Sequence, residues 1–122
     1  MNDELKLRIK GQSATPINLR LCRDKNGVFR AEVAHPFEAL EHFLESDLQG
    51  GTEASQHFLD PISDVQKGNI SHWEGTGNTT TLALTPTKAH LYNEFAIPTL
   101  ECELPLPKFH SVVEGWLEFV TS

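Results

Sequence analysis

The side chains that could carry chemistry in this chain are six histidines, two cysteines and 17 acidic residues, and their spacing decides what kind of chemistry is open to them. The histidines are His35, His42, His57, His72, His90 and His110. None stands in an HExxH or HxH arrangement or beside a Cys-x-x-Cys, the spacings that aim two ligands at one zinc. His57 and Asp60 are three positions apart, but nothing completes a ligand set around them, so no metal is expected. Cys22 and Cys102 each fall in an alternating run of apolar and polar residues. A packing thiol is the expected role there, ahead of a nucleophile or half of a disulfide. Gly75-Thr76-Gly77-Asn78 lacks the lysine and the following helix of a phosphate loop and reads as a turn. Carboxylates are too frequent for any pair to stand out as an acid/base couple. The chain is therefore read as a binding protein rather than an enzyme, with no cofactor.

Charge points to the kind of partner. The 122 residues carry a formal charge of −7, unevenly spread. Residues 1–30 hold seven basic groups against Asp3, Glu4 and Asp24, a surplus of four positive charges. Residues 31–122 hold only Lys67, Lys88 and Lys108 against 14 acids, a surplus of 11 negative charges. Such a field repels nucleic acid and draws in a basic partner, although acidity also serves plain solubility. With 39% apolar residues the chain is read as one domain, 1–122, able to bury about two thirds of its unfolded surface. No apolar run approaches the roughly 20 residues of a membrane helix. MNDELKLRIK has no apolar stretch of the secretory kind, so no membrane and a cytoplasmic place are expected.

The elements that must position these groups follow from periodicity. Leu5, Leu7 and Ile9 alternate with Lys6, Arg8 and Lys10; after a turn at Gly11–Pro16, Ile17, Leu19 and Leu21 repeat the pattern. Asn26-Gly27 before Phe29, Ala31 and Val33 predicts a hairpin whose turn takes positive φ at both residues. The basic face of these strands lacks interleaved aromatics and reads as a solvated sheet surface. His35-Pro36 opens a helix with Phe37, Leu40, Leu44 and Leu48 on one side, stopped by Gly50-Gly51, with Glu38, Glu41, Glu45 and Asp47 as its acidic complement. Residues 50–70, broken by Gly50-Gly51, Asp60-Pro61 and Gly68-Asn69, predict a long loop with room for a short helix at most. Strands follow over 70–74, 79–85, 89–95 and 100–104. In the last segment Phe109, Val112, Val113, Trp116, Leu117 and Val120 fall on one helical face, leaving Lys108, Ser111, Glu114, Gly115 and Glu118 on the wet side. The expected fold is α+β: a mainly antiparallel sheet with two amphipathic helices, one central and one C-terminal.

A resemblance rests on this order of elements. The basic N-terminal hairpin, the helix HPFEALEHFLESDLQG, the trailing HWEGTGNTTTLALTP and AHLYNEF, and the closing ECELPLPKFHSVVEGWLEFV resemble small acidic immunity proteins of bacterial toxin–immunity pairs, such as those of contact-dependent growth inhibition. The likeness covers most of the chain and consists of size, acidity and element order. It implies a cytoplasmic protein that binds a cognate toxin, often a basic nuclease, and occludes its active site. Two other readings stay open: a secretion chaperone for an exported effector, whose kind more often opens with a helix, and a domain that binds a small molecule. The oligomeric state is left open.

A protein that fills a phosphate-binding site rimmed by Lys and Arg needs carboxylates with an apolar anchor among them. The segment from Glu53 to Glu74 supplies both. The expected partner-binding residues are Glu53, Phe58, Asp60, Asp64, Trp73 and Glu74. For Trp73, a core position beside the turn is the competing expectation.

Overall fold

A computed structural model describes residues 17–93 and 95–122 in full and residues 4–9 as backbone. Strands β1 (Glu4–Ile9), β2 (Ile17–Arg23) and β3 (Phe29–Val33) form a three-stranded antiparallel sheet in that order. The turn expected at Gly11–Pro16 lies outside the described residues. Alternation is kept where side chains are described: Ile17, Leu19, Leu21 and Ala31 are buried, while Arg20 on the other face pairs with Glu32 at 2.7 Å. The β2–β3 turn departs from expectation. Gly27 has φ of +79°, but Asn26 does not share the left-handed region. The Gly27 N–H closes on the Asp24 carbonyl at 2.9 Å, and the Asp24 carboxylate accepts from the N–H groups of Asn26 and Val28. This aspartate holds the chain in a tight turn followed by one left-handed glycine, so two positive-φ residues are not needed.

The central helix forms in two geometries. α1 (Glu38–His42) passes without a break into a π-helical segment, Phe43–Leu48. Leu40, Phe43, Leu44 and Leu48 are all buried, as their spacing predicts. The acidic side is not the free surface it looks in sequence. The Glu45 carboxylate accepts the N–H of Ala31 at 2.8 Å and Glu41 that of Val33 at 3.1 Å, so two carboxylates close the outer edge of β3. An edge strand with untaken N–H groups is a site for unwanted pairing, and charge on it is a common remedy. Asp47 is 7% exposed and accepts from the N–H and hydroxyl of Thr79 and the N–H of Thr80.

The predicted loop over 50–70 is instead a 15-residue helix, α2 (Thr52–Gln66). Phe58, Pro61, Ile62 and Val65 form its buried face together with Ser55. Pro61 sits inside the helix, where in isolation it costs about 3 kcal/mol through a lost hydrogen bond and a steric clash. Burial of Phe58, Ile62 and Val65 offsets that cost, so tertiary packing overrides the breaker. Among the described residues there are thus three helical regions where two were expected.

Strands β4 (Trp73–Thr76), β5 (Thr81–Leu84), β6 (Lys88–Asn93) and β7 (Leu100–Pro105) run as an antiparallel meander in chain order. The Gly-Thr-Gly-Asn stretch ends β4 and turns into β5, with the Gly77 N–H on the Thr80 carbonyl at 3.0 Å. Gly77 lies directly against the Asp47 carboxylate, where a Cβ would collide. The missing side chain is what lets the hairpin sit down on the π segment. Asn78 adds a bond to the Ser46 carbonyl at 2.8 Å.

α3 (Leu106–Thr121) begins directly after Pro105 and carries Pro107 in its first turn, where the absent N–H is no loss. Phe109, Val112, Val113 and Trp116 are fully buried, as predicted, and Trp116 donates its indole N–H to the Gln49 carbonyl at 2.7 Å. Lys108 is a correction: expected on the wet face, it is 2% exposed. It stands four residues before Val112 and eight before Trp116, on the flank of the same stripe. The described core residues join in a single cluster drawn from both sheets and all the helices.

Candidate functional site

α2 and α3 lie side by side, and their outer faces enclose a groove of about 520 Å³ lined by Gln56, Leu59, Asp60, Ser63, His110, Glu114, Leu117 and Glu118. The spacing explains the lining. Gln56, Leu59, Asp60 and Ser63 recur at three and four residues on α2, and His110, Glu114, Leu117 and Glu118 do so on α3. The buried faces of both helices point into the core, so these flanks are what remains exposed between them. Three carboxylates therefore converge, and among the described lining residues none is Lys or Arg.

Internal pairing is light. The Gln56 side-chain amide donates to Asp60 at 2.9 Å, which sets the position of that carboxylate without neutralising it. His110 Nε2 lies 3.5 Å from Glu114 Oε1, one turn along α3. Leu59 and Leu117 are half-buried and give the groove an apolar component between the charges. Chemically the arrangement suits a cationic, partly aliphatic occupant such as a Lys or Arg side chain.

The six residues singled out in sequence do not form one patch. Asp60 lines the groove. Glu53 is exposed in the first turn of α2. Asp64 is half-buried at the other end of that helix, where it accepts from the Asn69 side chain at 3.2 Å, so it shapes the helix exit. Phe58 is a correction: at 4% exposure it is core, packed edge-on against Phe43 at 5.1 Å and Trp73 at 5.9 Å. Trp73 is half-buried in that aromatic stack, which also takes in His57 at 6.4 Å. Glu74 is exposed on the outer face of the second sheet, in the cross-strand row Glu74, Ala83, His90 and Glu103.

Glu114, Glu118 and His110 were not singled out, although their helical face was legible. Their meaning depends on α2 as a neighbour, and a reading that takes 50–70 for a loop has no second wall for the groove.

Burial pushes the Cys102 thiol up to about 12, so it stays protonated at neutral pH, and neither Cys22 nor Cys102 is in a disulfide. Among the described residues no group of three or more His, Cys, Asp or Glu side chains is placed to hold a metal ion, and no helix is long and apolar enough to cross a membrane. No protein-family model, no curated protein and no solved structure matches the chain.

Proposed function

We propose that this chain is an immunity protein: it binds a cognate toxin with a basic active site, of the nuclease kind, and neutralises it by occlusion. The observation that carries the reading is the α2–α3 groove, with Asp60, Glu114 and Glu118 around Leu59 and Leu117. A site built to receive phosphates presents Lys and Arg side chains at its rim, and carboxylates on rigid helices meet that rim without reorganisation. Charge speeds the encounter, and desolvated aliphatic contact governs how long the complex lasts. The excess of acid over residues 31–122 extends the attractive field beyond the groove.

The test first asks whether a basic toxin domain is encoded beside the gene for this chain, and uses that domain in an inactivated form; a neighbourhood with no such domain counts against the reading. Reversing Asp60, Glu114 and Glu118 to Lys should slow association several-fold at low salt, with a smaller effect at high salt where screening shortens to about 3 Å at 1 M. The same variant should fail to protect cells that express the active toxin. Reversal of Glu32, exposed on the first sheet, serves as the control. Equal association rates for the parent and the groove variant, at low salt and with both proteins folded, would remove the groove from the interface.

A further inference from the structure

We propose that the loop between β6 and β7 is an apolar anchor that enters a pocket on the same basic partner. The proposal rests on the functional reading above, because it takes the same occupant. Among the described residues three large apolar side chains are exposed: Val28 at 47%, Phe95 at 75% and Ile97 at 99%. Val28 stands alone in a hairpin turn, as scattered surface residues commonly do. Phe95 and Ile97 stand two residues apart on one loop, and together they hold out almost all of their apolar surface.

The backbone at Phe95 and Ala96 is pinned from within. Asn93, itself 3% exposed, accepts the N–H of Phe95 at 2.9 Å and of Ala96 at 3.2 Å. A tip fixed before contact loses less freedom on binding, which is the condition for an effective anchor.

The surroundings say what the tip meets. The strand leaving the loop presents Glu101 and Glu103 on its exposed side, and Glu74 lies in the same cross-strand row as Glu103. His90 lies 3.0 Å from Glu101, and Lys88 reaches Glu103 at 3.5 Å. Three carboxylates against one lysine repel an anionic lipid surface. Two copies meeting through this loop would bring like-charged faces together. An apolar pocket rimmed by Lys and Arg satisfies the tip and its flanks at once, and a central apolar anchor within a charged rim is how protein interfaces concentrate their energy.

Connectivity places the loop next to the β4–β5 hairpin. The loop leaves β6 beside the β4–β5 turn, since Tyr92 pairs with Thr81. That turn is bonded to Asp47, which seats the hairpin beside the loop on the π segment.

The experiment compares the parent, the double variant Phe95→Ser with Ile97→Ser, and the groove reversal, each against an inactivated toxin domain identified as in the test above. All three are first checked by thermal melting; the loop variant should melt with the parent because it removes only exposed side chains. The loop variant is expected to dissociate about 30-fold faster with association changed less than about twofold, the mark of a lost hot spot. The groove variant is expected to show the reverse. An unchanged dissociation rate for the loop variant beside slowed association for the groove variant overturns the anchor and leaves the functional reading standing. A parent that does not bind the toxin at all overturns both. Sedimentation of the parent alone, and flotation with vesicles of phosphatidylcholine and phosphatidylglycerol, complete the set. Self-association or vesicle binding that is lost in the loop variant would overturn the anchor by assigning the loop to a second copy or to lipid.

Discussion

Glu41, Glu45 and Asp47 point into the protein's own backbone, whereas Asp60, Glu114 and Glu118 are exposed and converge on a groove. In sequence the two sets look alike as solvated acids, on the polar side of a helix or, for Asp60, in a predicted loop. In the structure the first set closes the edge of β3 and pins the β4–β5 hairpin. The second set satisfies no backbone donor. Acid count is therefore a poor guide to an interface; what matters is which carboxylates are not taken up by the protein's own backbone N–H groups. A charge reversal on α1 would have looked like an interface test and would have been a folding test.

The largest effect should come from the residue that ties both regions together. Trp116 is fully buried on α3, and its N–H holds the Gln49 carbonyl at the end of the π segment. Trp116→Ala should cost about 3–5 kcal/mol, a large part of a domain's stability. Chemical denaturation would show it as a lost or steeply shifted transition; a midpoint near that of the parent would mean that α3 is not docked as described. Asp47→Ala comes next. It strips the Thr79 and Thr80 N–H groups of a charged acceptor, for an expected loss of about 3 kcal/mol.

Smaller again is Glu45→Ala, which exposes the β3 edge and should cost about 1 kcal/mol. Set against it, the reversals of Asp60, Glu114 and Glu118 should each move stability by no more than about 0.5 kcal/mol. Denaturant midpoints for the two sets, measured side by side, sharpen the comparison. Groove variants as destabilised as Glu45→Ala would mean that the groove acids too are structural.

Much of the scaffold is legible in sequence because it follows simple periods. The stripe from Phe109 to Trp116, the alternation of β2 and β3, and the apolar side of residues 37–48 each depend on local spacing, and each turns toward the core as read, with Phe29, Val33 and Phe37 only partly buried. What local spacing hides is α2. Gly50-Gly51 and Asp60-Pro61 are breakers by propensity, yet Phe58, Ile62 and Val65 already carried the helical step that packing enforces. The candidate groove was legible only in halves, through Asp60 and the wet face of α3, because a groove belongs to two elements and one of them was taken for loop. The duty of Asp47 was beyond reach for a further reason. It depends on a π turn and on a hairpin more than 30 residues away, neither of which leaves a period to read.

The smallest expected effect is also the one whose sign is most firmly fixed. The N–H of Val28 on the Asp24 carboxylate, with that of Asn26 and the Arg30 guanidinium behind it, holds this acid below its ordinary value of 3.8. Glu38 is held below 4.5, first by its own backbone N–H and then by His35 at 2.6 Å. For a group whose folded value is depressed, the stabilisation is complete above the unfolded value and is lost as pH falls through the folded one. Both contributions should thus be intact at neutral pH and fade only below about 4.5, Glu38 entering that window first. Asp24→Asn keeps an acceptor for Val28 but cannot titrate, so the hairpin should persist with a flatter stability profile as pH falls below about 3.8. Carboxyl titration followed by NMR should place the Asp24 midpoint below 3.8. A midpoint at or above that value would mean that the turn is not held by this carboxylate, and that internal capping by acids stops at α1 and its π extension.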